Sequence, residues 1–159
     1  MRNLIFIFAI LLSAVIIQSC GGSSANCVRE SEKSQLVRWG DYNAKTGVMT
    51  GYQLNTQMVI SRIRKEKNST NSETHEVGTI LPERYCAAIS LVKKEILKTQ
   101  ALNLMGDDNY FIEYLNPGMN TSIHVFWNSK IQGNGSEGFR VVFDSLQTLA
   151  SIGALPIKK

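Results

Sequence analysis

The chain has 159 residues, 17 lysines and arginines against 13 aspartates and glutamates, and a formal net charge of +4, with 43% of its residues hydrophobic. That is the length of one domain able to bury its own core. The mild basic excess falls far short of the clustered charge by which nucleic-acid binders are known, so no nucleic-acid partner is expected.

The first residues are organised differently from the rest. Met1-Arg2-Asn3 supplies one positive charge, and Leu4 to Ile17 is apolar but for Ser13. Gln18-Ser19-Cys20-Gly21-Gly22-Ser23-Ser24 then brings small residues around a cysteine. These are the parts of an export signal, and the apolar run is shorter than the ~20 residues that span a bilayer comfortably. Ile17-Gln18-Ser19-Cys20 resembles a lipobox, the site where lipoprotein signal peptidase cuts before a diacylated cysteine. The resemblance implies a signal peptide over 1–19, lipid on Cys20, a Gly/Ser-rich tether over 20–33 and a globular domain over 34–159. The membrane is then a partner through the lipid, since two or more chains anchor where one does not. Gly21, not aspartate, would follow the lipidated cysteine, and by resemblance to enteric sorting this leans to the outer membrane.

Three cysteines in an exported protein need an explanation. With Cys20 lipidated, Cys27 and Cys86 remain as an even pair in an oxidising compartment. Their disulfide would close a loop of about sixty residues, a stabilisation of about 4 kcal/mol. The alternative leaves Cys86 as a small core residue and Cys27 as a loop thiol.

Beyond the tether, Gln35 to Tyr42 reads as a strand, followed by the turn-rich Asn43-Ala44-Lys45-Thr46-Gly47. Val48 to Ile63 reads as one long strand. Its even positions Tyr52, Leu54, Thr56, Met58 and Ile60 are largely apolar, and the odd Gln53, Asn55, Gln57 and Ser61 are polar. A period of two marks a sheet with one buried face. The basic run Arg62-Ile63-Arg64-Lys65-Glu66-Lys67 leaves this strand as a hairpin tip, and Glu73 to Ile80 makes a third strand. Pro82-Glu83 opens a helix whose Tyr85, Ile89, Val92 and Ile96 recur at helical spacing, expected to end near Leu104 with Gly106 as its cap.

Tyr110 to Leu115 and Asn120 to Asn128 form a hairpin about Asn116-Pro117-Gly118-Met119, with paired residue numbers expected to sum to 235. Tyr110, Ile112, Ile123 and Val125 then share one face, and Phe111, Glu113, Ser122 and His124 the other. A last helix follows Ser136 as N-cap, with Phe139, Val142, Phe143, Leu146 and Leu149 as its stripe. The order β-β-β-α-β-β-α predicts an α+β fold, an antiparallel sheet carrying two helices on one face.

Catalytic signatures are sparse. His75 and His124 both fall on strands, where a lone histidine is ordinarily a surface residue. Cys86 with His124 would make a thiol–imidazole pair for a small hydrolase, but only within hydrogen-bond reach, and a Cys27–Cys86 disulfide abolishes it. Gly106-Asp107-Asp108-Asn109 lacks the spacing of a calcium loop. Gly133-Asn134-Gly135-Ser136 lacks the lysine of a phosphate loop. No catalytic residue, metal or cofactor is expected.

The layout is similar to small exported bacterial domains of the emfourin type, some of which inhibit thermolysin-like metallopeptidases. The similar parts are the Trp39-Gly40 hairpin with Gly51-Tyr52, the long strand after it, and Leu81-Pro82-Glu83 at a helix start. The resemblance spans about half of the chain, rests on common residue types and transfers no inhibitory residue. The expected function is a non-enzymatic binding module of the envelope with an unknown protein partner. Peptidase inhibition and toxin immunity are alternative roles. Gln53, Asn55 and Gln57 on the polar strand face and Phe111 and Phe126 on the hairpin are its candidate contact residues.

Overall fold

The computed structural model describes residues 27–69, 71–96, 103–131, 133 and 135–153. The signal-like segment and Cys20 lie outside them. The described elements are β1 (Leu36–Asn43), β2 (Val48–Asn55), β3 (Val59–Lys65), β4 (Glu73–Thr79), α1 (Pro82–Ile96), β5 (Asn103–Leu104), β6 (Asp108–Asn116), β7 (Thr121–Asn128) and α2 (Glu137–Gly153). They form an α+β fold. The sheet runs in the order β4-β3-β2-β1-β6-β7-β5, antiparallel throughout except where the two-residue β5 lies parallel to β7.

Both helices bury their apolar stripes against the same sheet face. Tyr85, Ile89, Val92 and Ile96 of α1 join Phe139, Val142, Phe143, Leu146 and Leu149 of α2 in one cluster. Val37, Trp39, Leu54, Ile60, Ile112, Tyr114, Val125 and Trp127 of the sheet complete it. Burial of each large apolar side chain contributes ~1.5–3 kcal/mol. Aromatic contacts fix the far end of this core: the Tyr110 ring stacks on Phe143 at 4.4 Å, and Trp127 meets Phe143 edge-on at 5.9 Å.

Three expectations require correction. The long strand Val48–Ile63 is a hairpin, β2 returning as β3 through Thr56, Gln57 and Met58. Asn55 makes the turn: its carbonyl accepts the Met58 N–H, and its Oδ1 accepts the N–H groups of Gln57 and Val59, all at 3.0 Å. Met58 closes it in the left-handed region at φ 64°, the usual geometry of a three-residue loop. Second, the helix expected to reach Leu104 is described to Ile96, and Asn103–Leu104 pairs with Phe126–Trp127 as a strand. Gly106 accordingly opens the next turn, its N–H donating to Asn109 Oδ1 at 2.7 Å.

Third, the β6–β7 register sums to 237, with Ile112 opposite Val125 and Glu113 opposite His124. Asn116 stays in its strand opposite Thr121, and Pro117–Met119 forms a 3-10 turn closed by Asn120 in the left-handed conformation. Because the shift is even, every residue keeps its expected face. The N-cap expectation for Ser136 is met through its carbonyl, which accepts the Arg140 N–H, while its hydroxyl donates to Gly133 O at 2.7 Å.

Candidate functional site

Three interactions fasten the segment before β1 to α1. Cys27 is disulfide-bonded to Cys86. Glu32 Oε1 accepts from the Lys93 ammonium at 2.8 Å, and Gln35 Nε2 donates to the Tyr85 hydroxyl at 2.8 Å. Cys86 and Lys93, seven residues apart, lie on one side of the helix, so a single face receives the segment. The fastened part of the chain therefore begins at Cys27, within the stretch expected as tether. The Tyr114 hydroxyl donates to Gln35 Oε1 at 3.2 Å, and this buried cluster closes that end of the core. Burial pushes the Tyr85 phenol up to about 12, against the opposing hydrogen bond from Gln35.

Toward the other end of β1, on the β1–β4 side of the same sheet face and beside α2, the side chains change character. One cross-strand row runs Trp39, Tyr52, Arg62, His75, and the next runs Asp41, Thr50, Arg64, Glu73. They border an open cleft of about 410 Å³ to which Gln147 of α2 contributes. The Tyr52 ring stacks on the buried Trp39 at 5.8 Å. Arg64 meets Glu66 loosely, at 3.5 Å. Burial raises the Asp41 carboxyl above the usual carboxylate range, with no cation to offset it. Among the described residues, neither Asp41 nor Arg62 makes a side-chain hydrogen bond or ion pair.

The contact residues expected from sequence lie on the other sheet face or its turn. Gln53 accepts from Arg38 Nε at 3.4 Å, Asn55 shapes the β2–β3 turn, and Gln57 is exposed at its tip. Phe111 is fully buried, packed against Phe126 at a centroid distance of 6.2 Å, so it offers no contact surface. Phe126 is half-buried against Tyr42 and, with Met49 and Met105, borders a shallow hollow of about 220 Å³.

The disulfide occupies the Cys86 sulfur, so the thiol–imidazole pair with His124 does not form. His124 has other partners. Its Nδ1 lies 2.9 Å from Glu113 Oε1 and its Nε2 2.8 Å from the Ser122 hydroxyl, the order of a hydroxyl, base and carboxylate relay. Glu113 is also 3.7 Å from Arg38 Nη1, so one polar ladder runs Gln53, Arg38, Glu113, His124, Ser122 across four strands. Register alone produces it: Glu113 and His124 are direct cross-strand partners, and Ser122 is two residues along the same face. Acyl transfer would further require donors converging on a developing oxyanion.

His75 stands in the cleft on β4. The Gly106–Asn109 segment is a turn stapled by Asn109, with Asp107 paired to Lys45 at 2.7 Å. No group of histidine, cysteine and acidic side chains able to hold a metal ion occurs among the described residues. Sequence reading missed the cleft, although its signal was present: the even-numbered apolar positions of the long segment become Arg62 and Arg64 beyond Ile60. No protein-family model matches the chain, and no curated protein matches it.

Proposed function

We propose that this protein is a bacterial envelope lipoprotein, held to the membrane by lipid on Cys20, whose domain binds a partner without catalysing a reaction. The working surface in this reading is the cleft beside α2. The observation that carries it is the pair Asp41 and Arg62, opposite charges without partners that border one cleft beside a half-buried aromatic ring. Charged groups not engaged within their own fold are available to a ligand. The Cys27–Cys86 disulfide supports an oxidising compartment, and the lipobox-like Ile17-Gln18-Ser19-Cys20 supports the anchor.

Two measurements test the two halves of the reading. Intact mass of the full-length protein from bacterial membranes should correspond to residues 20–159 plus acyl chains, and Cys20→Ala should release the domain from the membrane. An unlipidated mass would remove the anchor. A photo-crosslinking side chain at Thr50, in the cleft, should capture a partner that the same group at Ser90, exposed on α1, does not. Equal capture at both positions would remove the cleft.

A further inference from the structure

We infer that the cleft takes a zwitterionic chain end, an ammonium and a carboxylate joined by a short apolar chain, such as the carboxyl-terminal lysine of a peptide. The inference rests on reading the cleft as the binding surface and adds the class of ligand. Its basis is the order of groups across the strands. Asp41 stands on β1, Thr50 and Tyr52 on β2, and Arg62 and Arg64 on β3. The anionic and cationic poles are therefore two strand spacings apart, roughly 10 Å between backbones, with the Tyr52 ring between them.

The charges separate by pole. Asp41 is the acid on the β1 side. On the β3–β4 side Arg62 and Arg64 outnumber Glu73, and His75 lies opposite Arg62. A purely anionic ligand would set its charge against Arg62 and leave Asp41 unpaired. A purely cationic one would do the reverse. A zwitterion pairs both, and its methylenes cover Tyr52, whose ring already rests on Trp39. The unpaired Asp41 carboxylate, exposed at the cleft, gains a partner from an arriving ammonium, because a close opposite charge favours the charged form. Arg62 can hold a carboxylate with two parallel N–H donors, and Gln147 adds an amide at the rim.

The experiment is a chemical-shift titration of the full, disulfide-bonded chain with ε-aminocaproate, caproate and hexylamine in parallel. A peptide ending in lysine and its carboxyl-amidated twin form a second pair. Shifts should concentrate at Thr50, Tyr52, Arg62 and Arg64, and ε-aminocaproate should bind at least about tenfold tighter than either single-ended compound. Asp41→Asn should reduce it to the affinity of caproate, and Arg62→Gln to that of hexylamine, each with shifts away from the cleft unchanged. Amidation should abolish binding of the lysine-terminated peptide. If caproate matches ε-aminocaproate at the same residues, the zwitterion assignment falls and the cleft as a binding surface stands. If none of the compounds shifts the cleft, the assignment also falls, and capture at Thr50 then decides separately whether the cleft binds anything.

Discussion

Glu32 is buried and Asp41 stands exposed at the cleft, yet the Glu32 carboxyl ends below its ordinary value and the Asp41 carboxyl above it. Burial pushes Glu32 up, but the Lys93 ammonium, the Arg29 N–H and the charges of both residues outweigh it and leave the group lowered. Asp41 is only partly desolvated, and no partner opposes that effect. The sign of the consequence follows from proton linkage. A raised carboxyl binds its proton more tightly in the folded chain, so its contribution is fully present below the unfolded value and is lost as pH rises through the folded value. Glu32 contributes in the opposite sense, its stabilisation present above the unfolded value and lost as pH falls through the folded one. Asp41→Asn should therefore raise the urea midpoint at neutral pH and leave it unchanged well below the ordinary aspartate pKa of ~3.9. An equal change at both pH values would place the effect in packing instead.

Among the elements, the β1–β2 pair carries the tightest backbone constraint. Gly40 and Gly51 face each other across it. A Cβ on Gly51 would run into the Trp39 carbonyl and the Gly40 Cα, and one on Gly40, already at φ +153°, into the Thr50 carbonyl. Gly51→Ala should accordingly cost about 3 kcal/mol, the upper range for overpacking, read as a lower urea midpoint with unchanged slope. A cost within the scatter of surface substitutions, about 0.5 kcal/mol, would show that the strands can separate freely.

The same pair of strands shows what a sequence can and cannot reveal. The strand Gln35–Tyr42 and the faces of the β6–β7 hairpin were legible because burial of one sheet face favours alternation, whereas Glu73–Ile80, exposed along most of its length, was marked by the polar turn before it. The β2–β3 turn was not. Leu54 and Ile60 pair across it, so apolar residues keep the same parity on both arms, and the turn itself contains neither glycine nor proline. Met58 takes the left-handed conformation that such a turn ordinarily assigns to glycine. The cleft was hidden for a related reason. Asp41, Tyr52, Arg62 and His75 become neighbours only through the register of four strands, and one misread turn scatters them. The polar ladder through His124 was half legible: its residues were placed on one face, but a register short by two set Glu113 opposite Ser122.

For the whole molecule, the disulfide closes the longest covalent loop among the described residues, a sequence separation of 59. Cys27→Ser with Cys86→Ser should lower stability by about 4 kcal/mol in urea unfolding, from the loop-closure entropy returned to the unfolded chain. A loss below about 1 kcal/mol would mean that Glu32–Lys93 and Gln35–Tyr85 already hold the segment.

The position of that bond also gives the domain an orientation. Cys86 adjoins Tyr85, whose hydroxyl meets Gln35 at the start of β1, whereas Asp41 and the cleft lie toward the other end of that strand. Six residues at ~3.3 Å each put about 20 Å between the two. With lipid on Cys20, the chain would enter at the Gln35 end and the cleft would face away from the bilayer, the domain standing on its disulfide like a post with its open hand uppermost. Only six residues lie between Cys20 and Cys27, a reach of at most about 25 Å, so with lipid on Cys20 the hand would work close above the bilayer while opening away from it.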